Sequence, residues 1–134
     1  MLVCLLLPLA LGIFTTQNPY TVSDMAQTDI GITATLSINP SLRLNDDVIA
    51  TLALTVMFYN ADTVQIYIGD PANPRWEVPI TVTDPATTST PNYKVVINKA
   101  PFGIKITRNS DNYTIFNLDP ASTFQFNNRD IIVS

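Results

Sequence analysis

The chain has 134 residues, of which 46% are apolar and 13% charged, and it carries a net charge of −4. That balance excludes a disordered chain, and the length excludes a (β/α)8 barrel, which takes about 200 residues or more. Seven basic residues scattered singly offer no nucleic-acid patch, and the lack of any histidine, with Cys4 the only cysteine, excludes a Ser-His-Asp triad, a Cys-His pair and a His or thiolate zinc site.

The chain opens with an apolar run from Leu2 to Phe14. A membrane-spanning helix needs about 20 apolar residues, so this run is too short to span and suits the core of a signal peptide. Residues 1–17 are therefore expected to be a secretory leader and 18–134 a single domain, with an extracellular or lysosomal/vacuolar destination and no stable membrane span. Pro8 argues against a central strand here, although no Lys or Arg precedes the run and no Ala-x-Ala site follows it. Cys4 lies in this leader, so no disulfide framework is available.

From Ile32 to Ile38 apolar and polar residues alternate without a break. Period two is the mark of a strand with one face in a core. Asp46-Asp47 reads as a solvated turn. Adjacent strand side chains point to opposite faces, which disfavours shared chemistry there, and a calcium site from Asn45, Asp46 and Asp47 has no known loop spacing behind it. Alternation returns at Leu52, Leu54, Val56 and Phe58, and at Val64, Ile66 and Ile68. Asp70-Pro71 and Asn73-Pro74 then predict turns in which Asp70 and Asn73 bond the backbone that follows.

Trp76, Val78, Ile80 and Val82 alternate next and are expected to form a strand. On that reading Trp76 buries its ring in the core, while Arg75 and Glu77 share the solvent face as an exposed ion pair worth about 0–1 kcal/mol. Pro79 would mark an edge, a bulge or the end of ladder pairing. Asp84 to Asn92 is a polar loop. Strands follow at Val95 and Ile97; Phe102, Ile104 and Ile106; Phe124 and Phe126; and Ile131 and Val133. No window carries a helical stripe. Short strands at this spacing predict an all-β antiparallel sandwich or barrel. Asn112-Tyr113-Thr114 is an N-glycosylation sequon, whereas Pro40 blocks Asn39-Pro40-Ser41.

Two motifs carry a family likeness. The first is Ile68-Gly69-Asp70-Pro71-Ala72-Asn73-Pro74-Arg75-Trp76-Glu77-Val78-Pro79. The second is Pro101-Phe102-Gly103-Ile104-Lys105-Ile106-Thr107-Arg108, with Thr114-Ile115-Phe116 and Phe124-Gln125-Phe126 after it. Together with Tyr20-Thr21-Val22 they resemble the N-terminal, galactose mutarotase-like β-sandwich of family 31 glycoside hydrolases, the α-glucosidases of the maltase-glucoamylase and sucrase-isomaltase type. The structural motif residues by this likeness are Asp70, Arg75, Trp76, Glu77, Pro79, Pro101, Phe102 and Arg108. The chain departs from the family at Pro74, which is extra, and at Asn109-Ser110-Asp111-Asn112, where the family hairpin usually carries a glycine.

The resemblance implies a domain without catalytic residues, because the family's Trp-x-Asp-Met-Asn-Glu motif is missing. A retaining glycosidase also needs two carboxylates about 5–5.5 Å apart, and the ten aspartates and Glu77 form no pair that the sequence identifies. No cofactor is implied. The implied partner is the (β/α)8 catalytic domain of a parent enzyme that hydrolyses α-glucosides, with α-glucan oligosaccharides as a further ligand class. Ile131-Ile132-Val133-Ser134 ends the chain within an apolar strand, so the sandwich is expected to be incomplete there and to leave an open, aggregation-prone edge. Other readings are a free-standing secreted carbohydrate-binding module, which needs exposed rings among Tyr59, Tyr67, Trp76, Tyr93 and Tyr113, and a structural or adhesive sandwich.

Overall fold

A computed structural model describes residues 18–39, 47–77, 79, 91–128 and 130–134. The expected leader, Asp46, the Val78-Ile80-Val82 run and most of the 84–92 loop lie outside the described residues. What is described is all-β. Its strands are β1 Tyr20–Thr28, β2 Gly31–Ile38, β3 Thr51–Asn60, β4 Thr63–Gly69, β5 Tyr93–Lys99, β6 Phe102–Arg108, β7 Thr114–Leu118, β8 Phe124–Phe126 and β9 Ile131–Val133.

They form antiparallel sheets of order β1-β2-β3-β4, β5-β6-β7 and β8-β9. Within each sheet, neighbours in sequence are neighbours in space, and tight turns make several of these connections. Asp29-Ile30 joins β1 to β2, and Ala61-Asp62 joins β3 to β4. Asn60 accepts the Asp62 N–H at 2.8 Å, an Asx turn that fixes this second hairpin. In β1 the pairing shifts between Ser23 and Ala26, and Asp24 takes the left-handed conformation at φ 49°. Such bulges bend a strand and increase its twist.

The period-two pattern becomes two faces. Leu52, Leu54 and Val56 of β3 point inward with Ala34, Leu36 and Ile38 of β2. Against them lie Phe102 and Ile104 of β6, Leu118 of β7, and Phe124 and Phe126 of β8. This shared cluster joins the sheets as a sandwich. Each fully buried Leu or Phe side chain contributes about 1.5–3 kcal/mol. Tyr20 belongs to the cluster with no exposed surface. Its ring lies 5.5 Å from Phe124, and its hydroxyl donates to the Ile49 carbonyl at 2.7 Å.

The sandwich has two unlike ends. At one, hydrogen bonds tie the turns together. The Asn92 N–H donates to Ala61 at 2.9 Å and its amide to Asp62 at 2.6 Å, while the Asn109 N–H donates to Asn92 at 2.8 Å. At the other end, buried Asn18 donates to the Phe102 carbonyl at 2.6 Å and accepts the Tyr20 N–H at 3.0 Å. This staples the start of β1 to the start of β6. The strands between the ends are about 20 Å long, at about 3.3 Å per residue.

Candidate functional site

The second end of the sandwich holds a concave surface on which several motif residues meet. It begins where β4 stops at Gly69. Asp70 accepts the Ala72 N–H at 2.8 Å, as its turn chemistry predicts, and also the Asn73 side-chain amide at 3.3 Å, so Asn73 turns back to Asp70. The Ala72 N–H, then the Asn73 side chain and the charge of Arg75, hold the Asp70 carboxyl below the usual carboxylate range.

This turn sends the chain back toward β8. The Arg75 guanidinium lies 4.3 Å from the centre of the Phe126 ring and donates to the Asn127 carbonyl. A cation over an aromatic face together with a charge-assisted hydrogen bond is a strong local anchor. Arg75 therefore turns inward, and the expected ion pair with Glu77 on the solvent face does not form.

Trp76 is the main correction to the sequence reading. It is 81% exposed, not a core residue. Residues 71–77 belong to no strand, so alternation does not decide which side chains turn inward. The anchor at Arg75 decides it and presents the neighbouring indole to solvent. Pro79 is likewise exposed and outside any strand.

Between β4, the 70–77 segment and the β8-β9 sheet lies an open groove of about 230 Å³. Tyr67, Ile68, Trp76, Phe126 and Ile131 give it apolar walls, and Asp70, Arg75 and Glu77 add charged groups. Beyond Ile131 the surface continues apolar, since Ile132 and Val133 are also exposed. Rings with carboxylates and a guanidinium beside them can hold an apolar protein surface or the face and hydroxyls of a sugar. Among the described residues no three His, Cys, Asp or Glu side chains converge as metal ligands.

The other predicted residues lie elsewhere. Phe102 is wholly buried in the core, and Pro101 is exposed in the β5–β6 turn after a cis Ala100–Pro101 peptide. Arg108 is at the opposite end, bonded to Asp111 at 2.9 and 3.1 Å. Asn112 is on the same turn. Of the candidate sugar-stacking rings, Tyr67 and Trp76 share the groove. Tyr93 and Tyr113 sit at the opposite end, and Tyr59 donates to Gln65 at 2.9 Å. Sequence reasoning missed Asn18 and the Arg75–Phe126 anchor. The Asn18-Pro19-Tyr20 step before a strand was the available signal for the first, and none existed for the second.

No protein-family model matches the chain. Curated proteins do. The chain is 40% identical over 126 residues to intestinal sucrase-isomaltase of Oryctolagus cuniculus, an alignment covering 89% of this chain and 7% of that protein. It is 32% identical over 127 residues to probable maltase-glucoamylase 2 of Homo sapiens, covering 86% of the chain and 5% of that protein. It is 30% identical over 106 residues to lysosomal alpha-glucosidase of Mus musculus, covering 78% and 11%. The chain thus spans a small fraction of the length of the relatives it matches. On identity sustained over most of its residues, it belongs, as a domain-sized segment, to the family 31 glycoside hydrolases.

Proposed function

We propose that residues 18–134 form the N-terminal, non-catalytic β-sandwich of a secretory α-glucosidase-like enzyme, with residues 1–17 as its leader. Its partner is the (β/α)8 catalytic domain of the same enzyme, and its work is to pack on that barrel and help shape the entrance for α-glucosides. The observation that carries this reading is kinship along most of the chain to a segment only 5–11% of the length of each relative. The residue inventory supports it, since the family's Trp-x-Asp-Met-Asn-Glu nucleophile motif is not among these residues. The groove at Trp76 and the exposed β9 residues beside it supply an apolar surface for the barrel to cover.

The test is to read the transcript beyond the Ser134 codon and assay both products on an aryl α-glucoside. The expected result is a frame that continues into a barrel with Trp-x-Asp-Met-Asn-Glu, an active long product and an inactive 134-residue chain. A stop codon after Ser134, or turnover by the short chain, would overturn it.

A second reading has one specific observation behind it. Trp76 and Tyr67 share a groove with Asp70 and Glu77, an arrangement that suits a carbohydrate-binding module. Calorimetric titration with maltooligosaccharides tests it: saturable heat that disappears in Trp76→Ala supports sugar binding, and no heat rejects it.

A further inference from the structure

We propose that Asn112 is an N-glycosylation site, and that its glycan covers β7, the outer strand of its sheet among the described residues, at the end of the sandwich opposite the Trp76 groove. The inference rests on the reading that the chain enters the secretory pathway. The sequon Asn112-Tyr113-Thr114 supplies the acceptor amide and the hydroxyl two residues on. The fold supplies what a sequon alone does not.

Asn112 lies on the turn joining β6 to β7, in the left-handed conformation at φ 56°, which asparagine tolerates better than most residues. All three sequon residues are exposed. The turn around them is already held. Asp111 accepts the Tyr113 N–H at 3.1 Å and takes both arms of the Arg108 fork. The Asn112 amide has no hydrogen bond among the described residues, so glycosylation there breaks no contact that holds the turn. Thr114 begins β7, the outer strand of its sheet, beside an irregularity in the β6-β7 register. A transferase can therefore draw it out without opening the core.

The surroundings give the modification a consequence. Ile115 and Phe116 follow on that outer strand, 48% and 44% exposed, next to Tyr113. Open, apolar strand edges are templates for pairing with another chain, and proteins blunt them by covering them. A glycan on Asn112 stands over this edge and about 20 Å along the strands from the groove, which it leaves free.

The chemistry needs one co-reactant, an oligosaccharide linked through its reducing-end C1 to a polyprenyl diphosphate. The Asn112 Nδ2 forms a bond to that C1. The C1–O bond breaks, the polyprenyl diphosphate departs with the electron pair, and the amide gives up one of its two protons.

The experiment expresses the 134-residue chain in eukaryotic cells, once with its own first residues intact and once behind a heterologous secretory leader. The expected result is a slower-migrating species that peptide-N-glycosidase collapses, leaving an aspartate at position 112 in the peptide mass spectrum. Asn112→Gly keeps the left-handed turn and should abolish the shift. Thr114→Ala should abolish it too, and Thr114→Ser should retain it. The unmodified Asn112→Gly chain should also self-associate more in sedimentation. An unmodified chain behind the heterologous leader overturns the proposal. Modification only behind that leader keeps the site and overturns the secretory reading of the chain's own first residues.

Discussion

Alkaline pH should weaken this fold through one phenol. Tyr20 has no exposed surface, and its hydroxyl donates to the Ile49 carbonyl at 2.7 Å. Burial pushes its ionisation up from 10 to about 12, partly offset by a hydrogen bond with the Phe126 backbone. In the unfolded chain the same group ionises at about 10. Below pH 10 both states keep the proton, and its stabilising contribution is complete. As pH climbs from 10 to 12 the unfolded state releases the proton first, so stability falls and the contribution is lost. A gap of about two pKa units corresponds to about 3 kcal/mol. Tyr20→Phe has no proton to release. At neutral pH it should cost about 1 kcal/mol for the lost hydrogen bond to Ile49. Above pH 10 its disadvantage should shrink and then reverse. Urea unfolding of both chains, followed by far-ultraviolet circular dichroism at steps across this range, yields the difference curve, in which the other tyrosines and the lysines cancel. Parallel curves, separated by a constant amount at every pH, would refute the reasoning.

Two neighbouring residues should behave in opposite ways. Arg75→Ala loses the contact with Phe126 and the bond to the Asn127 carbonyl, and should lower stability by about 2 kcal/mol in urea melts. Trp76→Ala, at an exposed position, should change it by less than about 0.5 kcal/mol while weakening whatever occupies the groove. Gly31→Ala places a methyl 1.9 Å from the Val56 carbonyl oxygen and 3.1 Å from the Met57 Cα. Both are backbone atoms of the paired strand, so β2 and β3 must part locally at a cost of about 1–3 kcal/mol, read as a lowered urea midpoint.

The strands were legible because each repeats one physical rule over enough residues to be unambiguous. Ile32 to Ile38 alternates over a full strand, and β2 buries Ala34, Leu36 and Ile38 as that alternation requires. The tight turns were legible too, since Asp70 and Asn112 do locally what their side chains favour. Trp76 was not. Its neighbours alternate in the sequence, but residues 71–77 belong to no strand, and a contact 52 positions away, from Arg75 to Asn127, settles which side chain turns inward. Gln125 shows the same limit. It is buried between Phe124 and Phe126, although alternation would put it outside, because both faces of β8 are covered. The Asn18 staple reaches across 84 positions, and no local pattern encodes such a distance. The site was legible as residues and not as a surface. Asp70, Arg75, Trp76 and Glu77 fall within one motif, but their gathering with Tyr67 and Ile131 depends on where two sheets meet.

Trp76 is the chain's only tryptophan, and it stands in water while the core is built from phenylalanine, tyrosine and aliphatic side chains. The chain therefore carries its single indole at the groove and none in its interior. Indole emission should change little when the sandwich unfolds and shift to shorter wavelength when a partner covers the groove. Folding and docking can then be followed in one unlabelled sample, the first by dichroism and the second by fluorescence.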